Sequence, residues 1–358
     1  FKLAPELIMK LQSLRSKLTG FAYAGCLFST YKLIKMIKKH KPDIVHLHCI
    51  NGYIVNVYKL LNYLKEVNIP TVLTLHSEFM YTAGCGHALE CNKWKTGCFN
   101  CPQKGIGRPS STIFDRSKEE WKMMMDAYNG FNNIIITTVS KWLYNRAIQS
   151  PFFKDKNIEV VFNGIDTLNV FMPTNTSKIR KKYSINNEKV ILHVTPNFNS
   201  NIKGGKHVIE LAKMLLEKNV YVFIVGFNGD KDTLPSNVIA ISHISNQEEL
   251  ATFYSLADLT VLTSVRETFS MVCAESLACG TPVVGFEAGA PETIALEKYS
   301  EFVKQGDICA LKNAVIQWIY KKQDFGESIY KEAREVYSKE LMYNKYYNSY
   351  LKLIEGRV

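Results

Sequence analysis

The chain has 358 residues, of which 46% are apolar and 12% aromatic, enough for one or two buried cores and about two domains. Residues 1–41 hold nine basic residues against Glu6, so eight of the eleven excess positive charges lie there. A chain coated for nucleic acid would spread its excess, so the charge indicates a local anionic partner and excludes nucleic acid. No apolar run approaches the roughly 20 residues of a membrane-spanning helix.

The start of the chain does not resemble a targeting segment. Phe1 to Pro5 lack a signal peptide's order of charged, apolar and small residues, so we expect a cytoplasmic protein. The first residue is not Met, and we expect the sequence to begin partway into a longer chain.

Two basic amphipathic helices are predicted before residue 41. Apolar residues recur at helical spacing among lysines, namely Leu7, Leu11, Leu14 and Leu18, then Leu33, Ile34 and Ile37. One interpretation is two core stripes whose lysine faces point to solvent. The other is attraction to anionic lipid, at about 1 kcal/mol per basic residue. In that case the protein is peripheral at the inner face of the plasma membrane.

From residue 43 onward, short β-branched runs alternate with helical patterns. Nine strands are predicted, at 43–48, 71–76, 133–138 and 158–162, then at 190–194, 220–226, 238–242, 259–263 and 282–286. Their near-continuous apolarity is typical of parallel strands covered by helices on both faces. The predicted fold class is α/β, doubly wound, with two facing Rossmann-like domains and a ligand cleft between them.

A polar stretch, Pro173 to Asn187, separates the two series of strands and is typical of a connector. We therefore expect an N-terminal domain over residues 1–165, a linker over 166–187, a C-terminal domain over 188–335 and a C-terminal helix over 336–358.

Two glutamates flank a predicted helix start in the second half. Strand 259–263 ends in a polar loop, and a helix is expected over about 270–279 with Gly280 as its stop. A helix start offers N–H groups and partial positive charge to a phosphate. Glu267 and Glu275 could then accept hydrogen bonds from the hydroxyls of a nucleotide-sugar. By spacing alone, an ordinary helix with a capping-region carboxylate and one exposed Glu is the more frequent explanation, since acidic residues favour first turns.

The whole segment resembles the E-x7-E element of glycosyltransferase family 4, the retaining GT-B enzymes. The matching residues are Ser264, Glu267, Phe269, Glu275, Ala278, Gly280, Thr281, Pro282 and Val283, and Ser270 stands where the family has Gly. The resemblance implies that Glu267 contacts the transferred sugar and Glu275 the ribose. It also implies that N–H groups near Phe269, Ser270 and Met271 hold the donor diphosphate.

A second family element is a basic pair after the first strand of the C-terminal half. Lys203 and Gly204 keep its Lys-Gly, but no Arg stands where one is usual. The resemblance implies that Lys203 neutralises the leaving diphosphate, with Arg266 or Lys206 as helpers. It implies no catalytic metal.

Histidines end two strands of the N-terminal half. Such a histidine is more often structural than catalytic when nothing else is known. Residues 74–77, however, are similar to the family's Thr-x-His-[Asp/Ser/Thr], whose histidine faces the donor sugar. The resemblance gives that role to His76, and we expect His46 and His48 to orient the strand tip.

Four cysteines with the spacing C-x5-C-x6-C-x2-C lie in a loop over 84–103: Cys85, Cys91, Cys98 and Cys101. In a reducing cytosol a tetrahedral structural zinc site is the leading interpretation, and His87 could replace one thiol. Two disulfides and unliganded thiols remain open.

The segment from His46 to Gln103 is similar to a bacterial subgroup of the family that builds capsule, exopolysaccharide and O-antigen (lipopolysaccharide) chains. The family's first strand and Gly-rich loop are not found before residue 43. The resemblance implies a retaining hexosyltransferase that moves a sugar from a UDP- or GDP-sugar to a growing, lipid-linked glycan. The alternatives are a degenerate homologue acting as a partner subunit, and a nucleotide-sugar epimerase or hydrolase.

Overall fold

The computed structural model describes residues 5–50, 53–105, 113–321 and 325–356. Contacts within the chain divide it into two units. The first holds the described residues up to Val161 and those from Lys345 onward, and the second is Phe162–Asn344. Each unit contains its own parallel sheet, as the strand patterns predicted.

The first sheet has four parallel strands in chain order: β1 (Val45–His48), β2 (Thr71–Leu75), β3 (Ile134–Thr138) and β4 (Asn157–Val160). Every residue of β2 and β3 is buried. The register pairs His48 with Thr74 and Thr74 with Thr137. Paired residues of parallel strands point to the same face, so these three side chains share one face near the carboxyl edge.

The second sheet has six parallel strands: β5 (Lys189–Val194), β6 (Val220–Val225), β7 (Val238–Ile241), β8 (Leu259–Leu262), β9 (Val283–Phe286) and β10 (Ser300–Val303). Their order is β10-β9-β8-β5-β6-β7. The chain winds outward from β5 on one side and from β8 on the other. β5 and β8 therefore flank a topological switch point, where ligands of such sheets bind beyond the carboxyl ends of the strands.

All nine predicted strands are present, and their ends differ from the predicted ones by at most two residues. β10 was not predicted. It lies at the edge of the sheet, and its four residues are only partly buried. Two of these residues are polar, so the sequence lacks the continuous apolar run by which the other strands were predicted.

Fourteen α-helices are found in the described residues: α1 (Glu6–Thr19), α2 (Leu27–His40), α3 (Val57–Glu66), α4 (Phe79–Thr82), α5 (Ser117–Tyr128), α6 (Lys141–Ala147), α7 (Ser177–Lys182), α8 (Gly205–Met214), α9 (Gln247–Leu256), α10 (Met271–Ala278), α11 (Pro291–Ile294), α12 (Ile308–Ile319), α13 (Gly326–Tyr337) and α14 (Lys339–Ile354). Within the described ranges, none of them combines the length and apolarity that crossing a membrane requires.

The core of the second unit holds the strands that carry the candidate site. Side chains of α8, such as Leu211, and of α12, such as Val315, pack with Ile191 of β5 and Val261 of β8. Each such side chain stabilises the fold by roughly 1.5–3 kcal/mol when fully buried. The loops that follow β5 and β8 therefore begin at strands that are held in a well-packed core.

The predicted N-terminal helices are present, but the leucines of α1 do not form a core stripe. Leu7, Leu11, Leu14 and Leu18 are 68%, 56%, 54% and 51% exposed. On α2, by contrast, Ile37 is buried. The interpretation of the α1 leucines as a core stripe is therefore wrong, because in the described part of the first unit these side chains are exposed to solvent.

Residues 166–187, predicted as a linker, lie within the second unit. They include α7, and the N–H of Thr174 donates a hydrogen bond to the hydroxyl of Ser255 on α9 at 3.1 Å. This segment therefore packs against the second unit and belongs to it.

The C-terminal helical pattern is split. α13 ends at Tyr337, Ser338 is extended, and α14 follows at once. From Lys345 onward α14 belongs to the first unit, where Ser349 and Lys352 bind the carboxylate of Glu159 on β4 at 2.6 and 2.5 Å.

Candidate active site

The loop after β5 carries the predicted phosphate-binding lysine. At its end Gly204 has a φ of +68°, and a Cβ there would lie 2.0 Å from the carbonyl oxygen of Thr263. Glycine is needed for so close an approach. The hydroxyl of Thr263 donates to the carbonyl of Lys203 at 3.3 Å, and the N–H of Val265 donates to the carbonyl of Ile202 at 2.7 Å. The loops after β5 and β8 are thus joined at the switch point.

Lys203 and Glu267 form an ion pair at this junction. Nζ of Lys203 lies 2.7 Å from Oε1 of Glu267, and the two side chains are 28% and 18% exposed. The N–H of Glu267 donates to the carbonyl of Ala288 at 2.9 Å, and its own carbonyl accepts from the N–H of Ala290 at 3.2 Å. Two residues that motifs identified separately therefore meet in one place.

Helix α10 begins shortly after Glu267 with a backbone that favours glycine. Ser270 is the N-cap and has a φ of 89°, which serine rarely adopts and which costs about 1–3 kcal/mol of strain. Its hydroxyl oxygen accepts a hydrogen bond from the N–H of Cys273 at 3.3 Å, a cap that stabilises the helix by about 1 kcal/mol. Phe269 is buried and Met271 is 39% exposed.

Glu275 lies on α10 and is partly buried. Its Oε2 accepts a hydrogen bond from the hydroxyl of Tyr254 on α9 at 2.8 Å. Burial raises the pKa of Glu275, and the bond from Tyr254 opposes that shift. Burial also raises the pKa of Tyr254, and the nearby Glu275 carboxylate adds to the shift. Sequence motifs identified Glu275 but gave no signal for Tyr254.

The two basic residues named as helpers lie close along the chain to this ion pair. Arg266 directly precedes Glu267 and is partly buried, whereas Lys206 is exposed in the first turn of α8.

A buried histidine lies in the strand that leads to Lys203. Nδ1 of His193 on β5 is 3.1 Å from the carbonyl oxygen of Val261 on β8. Burial lowers the pKa of His193 to about 4. Because the backbone pairing of β5 with β8 reaches only Leu192 and Thr260, this side chain continues the link between the two strands.

In the first unit, three histidines gather at the carboxyl ends of β1 and β2. Nδ1 of His46 is 2.6 Å from the hydroxyl of Tyr350 on α14, and its Nε2 is 2.7 Å from Oγ1 of Thr74. Nδ1 of His48 is 3.0 Å from Nε2 of His76. The rings of His46 and His48 are in contact, with centroids 3.9 Å apart and planes tilted by 38°.

Burial holds these three imidazoles neutral. It lowers the pKa of His46 to about 3, with help from His48 and His76. It lowers the pKa of His76 to about 4, again with help from His48, and it also lowers the pKa of His48. The edge of the first sheet therefore carries hydrogen-bonding groups without positive charge at neutral pH.

The zinc site in the cysteine-rich loop stays a prediction. Among the residues that the structure describes, no group of three or more His, Cys, Asp or Glu side chains could hold a metal ion, and Cys85, Cys91, Cys98 and Cys101 form no disulfide. Cys85 is buried while the other three are partly exposed, and Sγ of Cys98 instead donates to the carbonyl of Thr82 at 3.7 Å.

A buried carboxylate organises this loop instead. Glu78 is fully buried and accepts hydrogen bonds from the hydroxyl of Tyr81 at 2.7 Å, from Nε of Arg146 at 2.7 Å and from the N–H of Ala88 at 2.8 Å. Arg146 lies over the ring of Trp94 at 5.6 Å. The loop is therefore anchored to α6 by the Glu78–Arg146 charge pair, which the sequence motifs did not predict.

Two family models match the chain. "Glycosyltransferase Family 4" matches residues 18–168, and "Glycosyl transferases group 1" matches residues 175–336. Together the two matches cover most of the chain and nearly all of both sheets.

Curated relatives carry transferase names. The chain is 26% identical to N-acetyl-alpha-D-glucosaminyl L-malate synthase of Bacillus anthracis over 85% of this chain and 72% of that protein. It is 19% identical to the putative colanic acid biosynthesis glycosyl transferase WcaC of Escherichia coli over 87% of this chain and 77% of that protein.

Solved structures share the fold. Sucrose-phosphate synthase from Thermosynechococcus elongatus has a TM-score of 0.65 at 17% identity, covering 94% of this chain and 83% of that one. Anabaena Alr3699/HepE, solved in complex with UDP, has a TM-score of 0.65 at 17% identity, covering 90% and 81%.

The two parallel sheets are those of a GT-B glycosyltransferase. The chain belongs to the family 4 type of these enzymes.

Proposed function

We propose that this glycosyltransferase moves a sugar from a UDP- or GDP-sugar to a growing surface glycan, with retention of anomeric configuration. The observation that carries the proposal is the Lys203–Glu267 pair at the switch point, close along the chain to the start of α10. Anabaena HepE, which shares the fold, was solved with UDP and with UDP-glucose, and this supports a nucleotide-sugar donor.

Donor binding exchanges the partners of this pair. Nζ of Lys203 leaves Glu267 for the donor diphosphate, and the N–H groups at the start of α10 add partial positive charge near Phe269 and Ser270. The released carboxylate of Glu267 accepts hydrogen bonds from the sugar hydroxyls. Glu275, oriented by Tyr254, accepts from the ribose.

In the reaction the bond between the anomeric carbon and the diphosphate oxygen breaks as the acceptor oxygen bonds to that carbon from the same face. The acceptor's proton passes to the departing diphosphate oxygen, so no separate base is required. Positive charge develops on the sugar ring and negative charge on the diphosphate, and Lys203 stabilises the latter. His76 binds the donor sugar.

The donor part of the proposal is tested by calorimetry with a panel of UDP- and GDP-sugars. We expect one donor to bind, and Lys203→Ala and Glu275→Ala to abolish its heat. Lys213→Ala is the matched control, because this exposed lysine lies in the last turn of α8. Absence of binding by the unaltered chain would favour a partner subunit. Conversion of donor without transfer would favour an epimerase or hydrolase, and NMR of the product anomer tests retention.

The proposed acceptor is a lipid-linked glycan at the cytoplasmic face of the plasma membrane. The name of the Escherichia coli relative, a colanic acid transferase, supports a polysaccharide. The exposed leucines of α1 lie beside the exposed Lys10, Arg15 and Lys17, and this pattern supports binding to anionic lipid.

Vesicle sedimentation tests this surface. We expect the chain to sediment with vesicles that contain phosphatidylglycerol and not with phosphatidylcholine alone. Leu11→Asp should reduce sedimentation at least tenfold, whereas Leu216→Asp, at a leucine of the second unit that is 47% exposed, should not. Equal behaviour of the two variants would refute a lipid role for α1.

A further inference from the structure

Near His76, one face of the first sheet carries a hydrogen-bonded group of side chains from distant parts of the chain. His46 and His48 lie two residues apart on β1 and point to the same face of the sheet, Thr74 lies on β2, and Tyr350 lies on α14. The group joins residues up to 304 positions apart.

His46 is the fixed member of this group. Both of its ring nitrogens are engaged, Nδ1 with Tyr350 at 2.6 Å and Nε2 with Thr74 at 2.7 Å. Thr74 is held in turn by Thr137, with Oγ1 atoms 2.7 Å apart. A ring bonded at both nitrogens cannot flip without breaking two hydrogen bonds. His46 is therefore a fixed ring against which a neighbouring side chain can pack.

The ring of His48 packs against this fixed ring, with the two planes tilted by 38°. Its ring centroid is 3.9 Å from that of His46, and its Nδ1 is 3.0 Å from Nε2 of His76. Because the contact joins two neutral imidazole nitrogens, one must donate and the other accept, and one proton lies between them. The protonation state of one ring nitrogen of His76 is thus tied to that of His48.

We infer that His48 is a positioning residue that fixes the tautomer and ring orientation of His76, and that His46 and Tyr350 hold His48 in place for this purpose. This inference rests on the proposed role of His76 toward the donor sugar. The sequence motifs do not predict this role, because they give a part in donor recognition to His76 alone.

The test compares His48→Ala with His48→Asn in the full chain. An Asn side chain can offer an oxygen or an N–H group toward His76, whereas Ala offers neither. We expect His48→Ala to lower kcat about tenfold to a hundredfold with donor KM within about twofold, because orientation matters most in the transition state. His48→Asn should recover most of the loss. Equal loss in both variants would overturn the inference.

NMR of protein labelled with 15N-histidine gives a readout that does not depend on turnover. His76 should show one neutral tautomer in the unaltered protein and in His48→Asn, and a mixture of tautomers in His48→Ala. An unchanged His76 tautomer in His48→Ala would overturn the inference. Full activity of His76→Ala would instead refute the proposed role of His76, and the NMR comparison would still decide whether His48 sets its tautomer.

Tyr350 provides a matched pair on α14. Tyr350→Phe removes the hydroxyl that bonds His46, and we expect kcat to fall about threefold to tenfold, roughly what one hydrogen bond supplies. Tyr347→Phe, at a residue of the same helix that is 48% exposed, should leave kcat unchanged. Equal kcat values for the two variants would remove His46 and Tyr350 from the inference.

Discussion

The carboxyl edges of the two sheets carry opposite kinds of chemistry. In the second unit, Lys203 and Glu267 place two opposite charges 2.7 Å apart. In the first unit, His46, His48 and His76 form a neutral group whose pKa values are lowered by burial. Under the proposed function, the charged edge holds the donor diphosphate, and the neutral donors and acceptors recognise hydroxyl groups.

The two edges are also built differently. The charged edge depends on backbone, with Gly204 and Thr263 bringing two loops together. The neutral edge depends on side chains, with Tyr350 and Thr74 fixing His46. Substitutions at the charged edge should therefore lower the reaction rate strongly. Substitutions at the neutral edge should change the orientation of the histidine rings and lower the rate less.

The largest effect should come from the charge of Lys203. Lys203→Met removes the cation that meets the leaving diphosphate, and we expect kcat to fall about a hundredfold to a thousandfold. Lys203→Arg should retain part of the rate, and Lys213→Met should behave as the unaltered protein. Steady-state kinetics with the donor identified by calorimetry provides the measurement. A fall in kcat of less than tenfold would mean that the charge of Lys203 is not what this edge contributes to the reaction.

The next effect is on stability at acid pH. Unfolded imidazole has a pKa near 6.5, whereas burial lowers that of His193 to about 4, so the unfolded state binds more protons between these values. Stability should therefore fall as pH drops from 7 to 5, by about 2 kcal/mol for His193 alone.

Denaturant unfolding at the two pH values checks this expectation. His193→Asn should lose about 2 kcal/mol less between pH 7 and pH 5 than the unaltered protein does. His243→Asn is the control, since this histidine is exposed. An identical pH dependence in all three proteins would contradict a neutral buried imidazole.

A smaller effect should come from Tyr254. Tyr254→Phe removes a hydrogen bond to Glu275, and we expect donor KM to rise about fivefold with kcat unchanged, as for one net hydrogen bond. Tyr320→Phe is the control, because its hydroxyl donates to the carbonyl of Lys218, outside the candidate site. A change in kcat alone would show that Glu275 acts beyond ground-state binding.

The smallest effect should come from Ser270. Ser270→Gly relieves the strain of a φ of 89° but loses the cap, so we expect a stability change below about 1 kcal/mol. Ser270→Ala keeps the strain and also loses the cap, and it should be less stable than the Gly variant by about 1 kcal/mol. Thermal unfolding separates the two. Equal melting temperatures would indicate that the backbone is not strained there.

Sequence reasoning identified the groups that local patterns mark. Glu267, Glu275 and Lys203 stand in short motifs beside predictable strands, so their elements could be placed in advance. Tyr254 and Tyr350 could not be found in this way, since a tyrosine on an amphipathic helix gives the same signal whether it packs or bonds a site residue. The cysteine spacing predicts zinc from residue types alone, and it gives no signal for the buried Glu78, which bonds Ala88 of the loop and Arg146.

Helix α14 leaves the first unit dependent on residues that are synthesised long after its sheet. His46 emerges from the ribosome roughly 300 residues before Tyr350, its hydrogen-bond partner. The chain of the second unit is synthesised during that interval, while the first sheet lacks the helix that binds Glu159 and His46. A ribosome-stalled chain ending before Lys345 should therefore expose the first sheet to chaperones while the charged edge is already formed.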